Sequence, residues 1–431
     1  MRILLTGASG FIGRHLLQSL LAEGHHVVCA VRTATSPNPL EPRLSYIHAD
    51  FAQDTEKDAW LARLNGIDAV INTVGIFKEH GRQDFTRLHV KAPRALFAAC
   101  AESHDVQVVI QLSALGADRE AQTPYHLSKR AADDYLASLP LRSFIVQPSL
   151  VYGRDGASAR TLRSLASMPF TVRLGNAPQL VQPIHVDDLV TAMVGLLKHR
   201  LPMAPGGGTS MRVPLVGPQA IPFTDYLGAL RSAIGMGRQR VLTLPGPLAR
   251  LAAGIGGLLP GSLLSRDALS MLERGSTADV SATANLIGHL PRPVEQFVLD
   301  PDGERARAKL GWLLPILRIS IALVWLLTAI VSFGLYPLEG SFDLLARAGV
   351  QADLQPVMLY GAATLDLLLG LGILLLRRRR LLWLAQLGLI GFYTVVIAVM
   401  LPEFLLHPFG PLIKNLPMLA AIWLLYQLVE K

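Results

Sequence analysis

Thr6-Gly7-Ala8-Ser9-Gly10-Phe11-Ile12-Gly13 stands where an apolar strand, Ile3-Leu4-Leu5, gives way to a helical pattern. A strand that runs straight into a glycine-rich turn and a helix aims free backbone N–H groups and the positive end of the helix dipole at one point, which suits a pyrophosphate. Gly7 permits the tight turn, Gly10 lets backbone approach a phosphate, and Gly13 lets the helix pack on the strand. Three glycines alone are a weak signal; their context supplies the rest. Phe11, Ile12, Leu16, Leu17, Leu20 and Leu21 recur at helical spacing, Glu23-Gly24 closes the helix, and residues 25–31 read as a second strand. The stretch is expected to bind a nucleotide, with Thr6, Gly7, Gly10, Phe11, Ile12 and Gly13 at the cofactor.

Working outward, residues 44–50, 68–72, 106–112 and 142–147 supply a third to a sixth strand, with helical patterns between them such as residues 84–103. Short β-rich runs, apolar on both faces and separated by helices, make a parallel sheet with right-handed crossovers, a doubly wound α/β fold. The second strand ends at Arg32, where a fold that prefers NAD usually carries an acid for the ribose 2′-hydroxyl. An Arg there suits a 2′-phosphate instead, so NADP is the expected cofactor, with NAD the alternative.

The chain has 431 residues, enough for two or three domains, and is 51% hydrophobic but only 17% charged, so part of it is expected in lipid. Its net charge is +8. The basic residues are scattered or sit beside apolar spans, with no basic stripe interleaved with aromatics. Nucleic acid is therefore not an expected partner, and an anionic cofactor and anionic lipid account for the excess. The two cysteines, Cys29 and Cys100, fall in core patterns, and no Cys–His spacing suits a metal. The N-terminus opens directly on a strand without a basic and apolar leader, so the first domain is expected in the cytoplasm.

Taken together, residues 6–13, Asp50 after the third strand, Ser113 after the fifth, Tyr125-His-Leu-Ser-Lys129, the run from Gln147 to Gly153 and that from Pro183 to Asp188 resemble the extended and atypical short-chain dehydrogenase/reductases. The resemblance spans roughly residues 1–300 and is nearest the branch that includes the nucleotide-binding accessory subunit of respiratory complex I. It implies a Rossmann domain with a smaller substrate lobe largely within residues 154–300. It also implies that Asp50 lies near adenine and that Tyr125, Lys129 and Ser113 form the catalytic set, with Lys129 also at the cofactor. The residues themselves fit that chemistry. Tyr125 and Lys129 are four apart on one helix face, where an ammonium can lower a phenol from its ordinary pKa near 10 toward the working range. Ser113 at a strand's carboxyl end can hydrogen-bond a substrate oxygen. Where the family usually has a relay Asn, this chain has His89, which either holds the relay water or is a satisfied core histidine. The glycine cluster at residues 204–208 reads as a turn. Residues 244–272, apolar among glycines and prolines, read as a lid, a lipid-touching surface or a helical cap.

Beyond a turn at residues 300–303 and a linker at 301–311, residues 312–431 read as an all-α membrane domain of four helices, with spans at 316–336, 357–376, 381–401 and 411–428. Arg305, Arg307, Lys309 and Arg318 flank the first span and Arg377 to Arg380 join the second to the third, whereas the loops after the first and third hold only Arg347 and Lys414. The basic side is cytoplasmic by the positive-inside rule, which puts both termini in the cytoplasm of an inner-membrane, multi-pass protein. The span pattern resembles the DoxX-like family. Asp366, inside the second span, reads as a functional group or an interhelical hydrogen bond. The whole is expected to be a membrane-anchored NAD(P)H-dependent oxidoreductase acting on a small lipophilic carbonyl or quinone-like substrate. A nucleotide-binding scaffold without turnover and a sugar-nucleotide epimerase or dehydratase are the alternatives.

Overall fold

The computed structural model describes residues 1–33, 41–79, 81, 83–174, 178–199, 208–245, 266–408 and 410–428. The chain divides into two compact units, Met1–Ala308 and Lys309–Lys431. In the first, strands β1 (Arg2–Thr6), β2 (His26–Val31), β3 (Leu44–His48), β4 (Ala69–Asn72), β5 (Val108–Leu112), β6 (Arg142–Pro148) and β7 (Thr209–Leu215) form one sheet in the order β7-β6-β5-β4-β1-β2-β3. Every neighbouring pair in it is parallel. The order reverses between β1 and β4, and at that switch point the loops after the two strands open a crevice beyond the carboxyl edge.

Alternation along the strands builds two cores. Ile3, Leu5, Ile71 and Ile110 pack under α1 (Phe11–Ala22) and α6 (Val186–Lys198), while Leu4, Val70, Val109 and Trp60 pack on the other face. That other face carries α2 (Asp58–Leu61), α3 (Ala92–Glu102) and α4 (Pro124–Ala137). Each fully buried aliphatic side chain contributes about 1.5–3 kcal/mol. The three central strands are also joined by a buried polar ladder in which Thr6 donates to Asn72 at 2.6 Å and Asn72 donates to Gln111 at 2.7 Å. A third core, with Tyr152, Leu162, Tyr226 and Phe297, belongs to a lobe built on α5 (Ala157–Ser167) and α7 (Phe223–Ala233).

Several expectations are corrected. Residues 84–103 are not one α-helix: a π-helical turn, Thr86–Lys91, precedes α3, and Pro93, which lacks an N–H, sits in the first turn of α3. Within residues 154–300, α5 and α7 build the lobe while α6 and β7 pack with the main sheet. Residues 300–303 are not a turn into a linker: a helix runs Pro301–Ile330, with the Gly303 N–H donating to Asp300 Oδ1 at 3.1 Å as a cap and Pro301 at the first helical position. The glycine cluster falls, but for Gly208, outside the described residues, as does most of 244–272, of which Arg266–Arg274 is helical.

In the second unit three helices are long and apolar enough to cross a membrane: the one ending in the turn at Leu335, the one within Ala352–Leu375, and Arg380–Met400. The expected fourth span is shorter. Its helix, Asn415–Leu428, has 14 residues, about 21 Å against a hydrocarbon core of about 30 Å. Residues 411–414 form turns before it, and Pro417 is accommodated in its first turn, where no N–H is needed. Leu338–Arg347 adds a helix between the first two spans. The interior packs Ile321, Trp325, Leu369, Ile373, Trp383, Ile422 and Leu425, with Trp325 Nε1 donating to Gln386 at 2.8 Å. Asp366 is buried, and its Oδ1 has no partner among the described residues.

Candidate functional site

The glycine turn has the geometry its sequence implies. Gly7 has φ +78°, and the Gly10 N–H donates to its carbonyl at 2.9 Å. A Cβ on Gly13 would stand 2.1 Å from Gly7 O, so only glycine lets α1 pack this closely on the loop. No side chain caps α1, and Ser9 and Gly10 are exposed. The start of this helix is thus open to an anion. Phe11 and Ile12 are half-buried; a Cβ on Gly153 would meet the Phe11 ring at 2.6 Å, so the chain after β6 closes over the helix start. Thr6 is fully buried, and its hydroxyl donates to Asn72.

Arg32 is exposed one residue beyond β2. Asp50 follows β3, and its carboxylate accepts from the Ala52 N–H at 3.0 Å and Gln53 Nε2 at 2.9 Å, which fixes the local turn. After β4, Gly75 brings bare backbone to the site, since a Cβ there would lie 3.0 Å from Lys129 Nζ.

The helix α4 presents Tyr125, Lys129 and Asp133 at steps of four. Thr123, at its N-cap, accepts from the His126 N–H, and Pro124 opens its first turn. The half-buried Tyr125 ring lies among Phe77, Phe85, His89 and His126, with centroid separations of 5.3, 6.2, 5.7 and 5.4 Å. Lys129 is buried and donates to Leu112 O at 3.0 Å and Val74 O at 3.4 Å. Burial pulls its ammonium down to about 8, with Asp133 opposing. The Tyr125 phenol is pushed up to about 12 by burial and then by Asp133, so the expected lowering by Lys129 is absent. The ammonium is instead directed at two backbone carbonyls.

Ser113 is buried at the end of β5 and donates to Asp133 Oδ2, a residue the sequence reading did not single out. Burial raises the Asp133 carboxyl to about 7. Its signal was its place four residues after Lys129. His89 resolves to the satisfied core histidine: Nε2 accepts from the Ile76 N–H at 2.9 Å, which leaves Nδ1 as donor to Ser128 Oγ at 2.9 Å. Ser128 in turn donates to Tyr125 O at 2.7 Å. Burial and the charge on Lys129 hold His89 down at about 2, so it is neutral. Arg274 was also missed. It donates to Gly116 O at 2.7 Å and to both oxygens of Asp118, tying the lobe to the loop after β5. Among the described residues no cluster of His, Cys, Asp or Glu could hold a metal.

Residues 3–206 match the NAD dependent epimerase/dehydratase family, and residues 322–423 match the DoxX-like family. The chain joins an NAD dependent epimerase/dehydratase domain to a DoxX-like domain. The epimerase/dehydratase domain is 26% identical over 198 residues to a ceramide reductase of Caulobacter vibrioides, covering 46% of this chain and 61% of that protein. Over 259 residues the chain is 24% identical to subunit 9 of the mitochondrial NADH dehydrogenase (ubiquinone) 1 alpha subcomplex of Arabidopsis thaliana, covering 57% and 61% of the two chains. The chain therefore spans about three-fifths of each of these two relatives. A solved nucleoside-diphosphate-sugar epimerase of Staphylococcus aureus shares the fold, with a TM-score of 0.52, 18% identity, and coverage of 69% of this chain and 99% of that one.

Proposed function

We propose that the protein is a membrane-anchored NAD(P)H-dependent oxidoreductase acting on a lipid-soluble carbonyl or quinone-like substrate. The observation that carries this reading is the position of Tyr125. Its hydroxyl makes no hydrogen bond among the described residues, and its ring stands against Phe77, which is 44% exposed, and Phe85. A phenol with an apolar collar suits the carbonyl of a greasy molecule, and a DoxX-like membrane unit in the same chain suits a substrate dissolved in a bilayer. The name of the ceramide reductase relative, which describes a lipid, points the same way.

The residues present fit a dinucleotide, because the start of α1 is uncapped and exposed at Ser9 and Gly10 and because Gly75 brings bare backbone beside Lys129 Nζ. In this reading the backbone from Gly7 to Gly13 holds the pyrophosphate, Asp50 lies toward the adenine, and Arg32 pairs with a 2′-phosphate, which favours NADP over NAD. The bound nicotinamide supplies or accepts a hydride. Lys129 holds the adjoining sugar with its remaining proton and Tyr125 donates or removes the substrate's proton. Ser113, its own proton committed to Asp133, offers lone pairs to the alcohol form. The loops 331–354 and 401–414 meet through an Arg347–Glu403 ion pair, away from the Arg377 to Arg380 turn. That separation agrees with the basic turn on the cytoplasmic side of an inner membrane, and a fourth crossing by the Asn415–Leu428 segment would return the C-terminus to the side of the N-terminus.

The test is turnover by the purified full chain with NADPH and long-chain carbonyl substrates in nanodiscs. Tyr125→Phe should lower turnover by about 10²-fold or more while NADPH affinity survives. Undiminished turnover in that variant moves the chemistry elsewhere. A second reading, a nucleotide-binding scaffold without turnover, draws on the Tyr125 phenol, which burial raises to about 12. Absence of turnover in the parent chain with every carbonyl, with NADPH bound, is its signature.

A further inference from the structure

Asp133 has no solvent exposure and lies one helical turn beyond Lys129 on the buried face of α4. Three elements face its carboxylate. Ser113 from the end of β5 donates to Oδ2, Lys129 precedes it on α4, and Arg212 from β7 brings Nη1 to 3.6 Å. Arg212 directs its hydrogen bonds elsewhere, to Asp134 Oδ1 at 2.5 Å and to Ala117 O at 3.4 Å. Asp133 Oδ1 has no hydrogen-bond partner among the described residues. A buried acid in this state is normally retained only where its charge is used.

The use lies with Lys129. Both of its acceptors, Leu112 O and Val74 O, are neutral carbonyls, so a buried ammonium needs an opposite charge nearby. Leu112 and Ser113 are consecutive, which means that Lys129 grips one residue at the carboxyl end of β5 and Asp133 grips the next. We propose that Asp133 is the positioning residue of this site: it is the buried counter-ion of Lys129 and, through Ser113, locks the end of β5 against α4, fixing the ammonium where the cofactor sugar binds. The cofactor clause rests on the function proposed above; the counter-ion clause does not. Titration behaviour agrees with the geometry. Burial lowers Lys129 and Asp133 opposes that fall, while Ser113, Lys129 and Arg212 oppose the rise that burial imposes on Asp133, and Asp134 adds to it.

The experiment uses the full chain in detergent and two readouts across about pH 6–10. Acetylation of Lys129 by acetic anhydride, followed by peptide mass spectrometry, reports the midpoint at which the amine becomes neutral. NADPH fluorescence titration reports cofactor affinity. Asp133→Asn removes the charge with little change of shape, and the Lys129 midpoint should fall by about one pH unit or more. NADPH affinity at pH 9 should then drop about tenfold while affinity at pH 6 stays near the parent value. Asp133→Glu should restore most of the midpoint. A folded Asp133→Asn chain with an unmoved midpoint overturns the proposal, since a merely structural side chain would leave it there. Should Asp133→Asn not fold, Ser113→Ala serves: losing the bond that favours ionised Asp133 should lower the Lys129 midpoint by a smaller amount, and no shift again overturns the proposal. A midpoint that tracks Asp133 in a chain that binds no NADPH supports the counter-ion and defeats the cofactor reading. NADPH binding with an unmoved midpoint does the reverse.

Discussion

Adding one methyl group at Gly13 and one at Gly10 should separate the construction of the glycine turn from its use. At Gly13 the new carbon would stand 2.1 Å from Gly7 O, 2.8 Å from Gly7 C and 3.0 Å from Ala8 Cα. All three are backbone atoms. The loop cannot retreat, because Gly7 at φ +78° already has Thr73 Oγ1 within 2.6 Å of where its own Cβ would be. Either the turn or α1 must therefore move by about 1 Å, and overpacking of this kind costs about 1–3 kcal/mol, here toward the upper end. In a unit of this size that is a fall in Tm of roughly 6–10 °C. At Gly10 the new carbon meets only Gly7 O, at 3.1 Å, and the backbone φ of −75° is ordinary for any residue. Gly10→Ala should fold with Tm changed by about 2 °C or less, yet it places a methyl group on the exposed start of α1. Thermal unfolding by differential scanning fluorimetry and NADPH fluorescence titration give the two readouts. Gly13→Ala should lose both stability and binding, while Gly10→Ala should lose binding alone, by about tenfold or more. A Gly10→Ala chain that binds NADPH as the parent does would remove the pyrophosphate from this helix start. A Gly13→Ala chain with unchanged Tm would refute the packing argument.

Three further outcomes are expected. His89 is neutral in the fold and held at about 2, against about 6.5 in an unfolded chain, so the unfolded state binds the extra proton. Its contribution is therefore fully present above pH 6.5 and is lost as pH falls, by about 2 kcal/mol at pH 5, and urea unfolding at pH 7 and 5 should show that loss diminished in His89→Asn. Arg32→Ala should weaken NADPH binding by about 1.5–3 kcal/mol and leave NADH nearly unchanged; equal loss for both would withdraw the 2′-phosphate contact. Glu304 is buried and pairs with Arg163 at 2.9 Å and Arg154 at 3.0 Å, so Glu304→Ala should strand the buried Arg163 and destabilise the first unit by about 3–5 kcal/mol in urea unfolding.

The main sheet was legible because five of its strands, β1, β2, β4, β5 and β6, are apolar runs buried on both faces, and because the glycine turn gives each residue one steric task. The seventh, Thr209–Leu215, was not. It is an edge strand, partly exposed, and carries Arg212 and Pro214, so it has no continuous apolar run; a missing N–H is tolerated at an edge. Tyr125 and Lys129 share a helix face by spacing and Ser113 follows a strand end, and the family resemblance joins the three as a set, but which of their atoms face one another could not be read. The partnership of Ser113 with Asp133 depends on how β5 meets α4, and an acid inside a helical pattern reads as solvated until burial is known. The ladder from Thr6 through Asn72 to Gln111 was likewise not legible, because it depends on which strands lie side by side. The charged start of the Pro301–Ile330 helix read as linker because Asp302, Glu304, Arg305 and Arg307 obscure its helical character. In the second unit, apolar length located three long helices, but Leu338–Arg347 between them and the late start at Asn415 depend on local turns that hydropathy does not report.

Net hydride transfer is the most direct test of the proposed oxidoreductase. The full chain in nanodiscs, supplied with NADPH carrying deuterium on the transferable C4 position and with long-chain carbonyl compounds, should yield a lipid alcohol heavier by one deuterium. The Tyr125→Phe chain should yield about 10²-fold less. Conversion of a sugar nucleotide to its epimer by tightly bound cofactor, with no deuterium passed to any lipid, would contradict the assignment and identify the reaction as epimerisation.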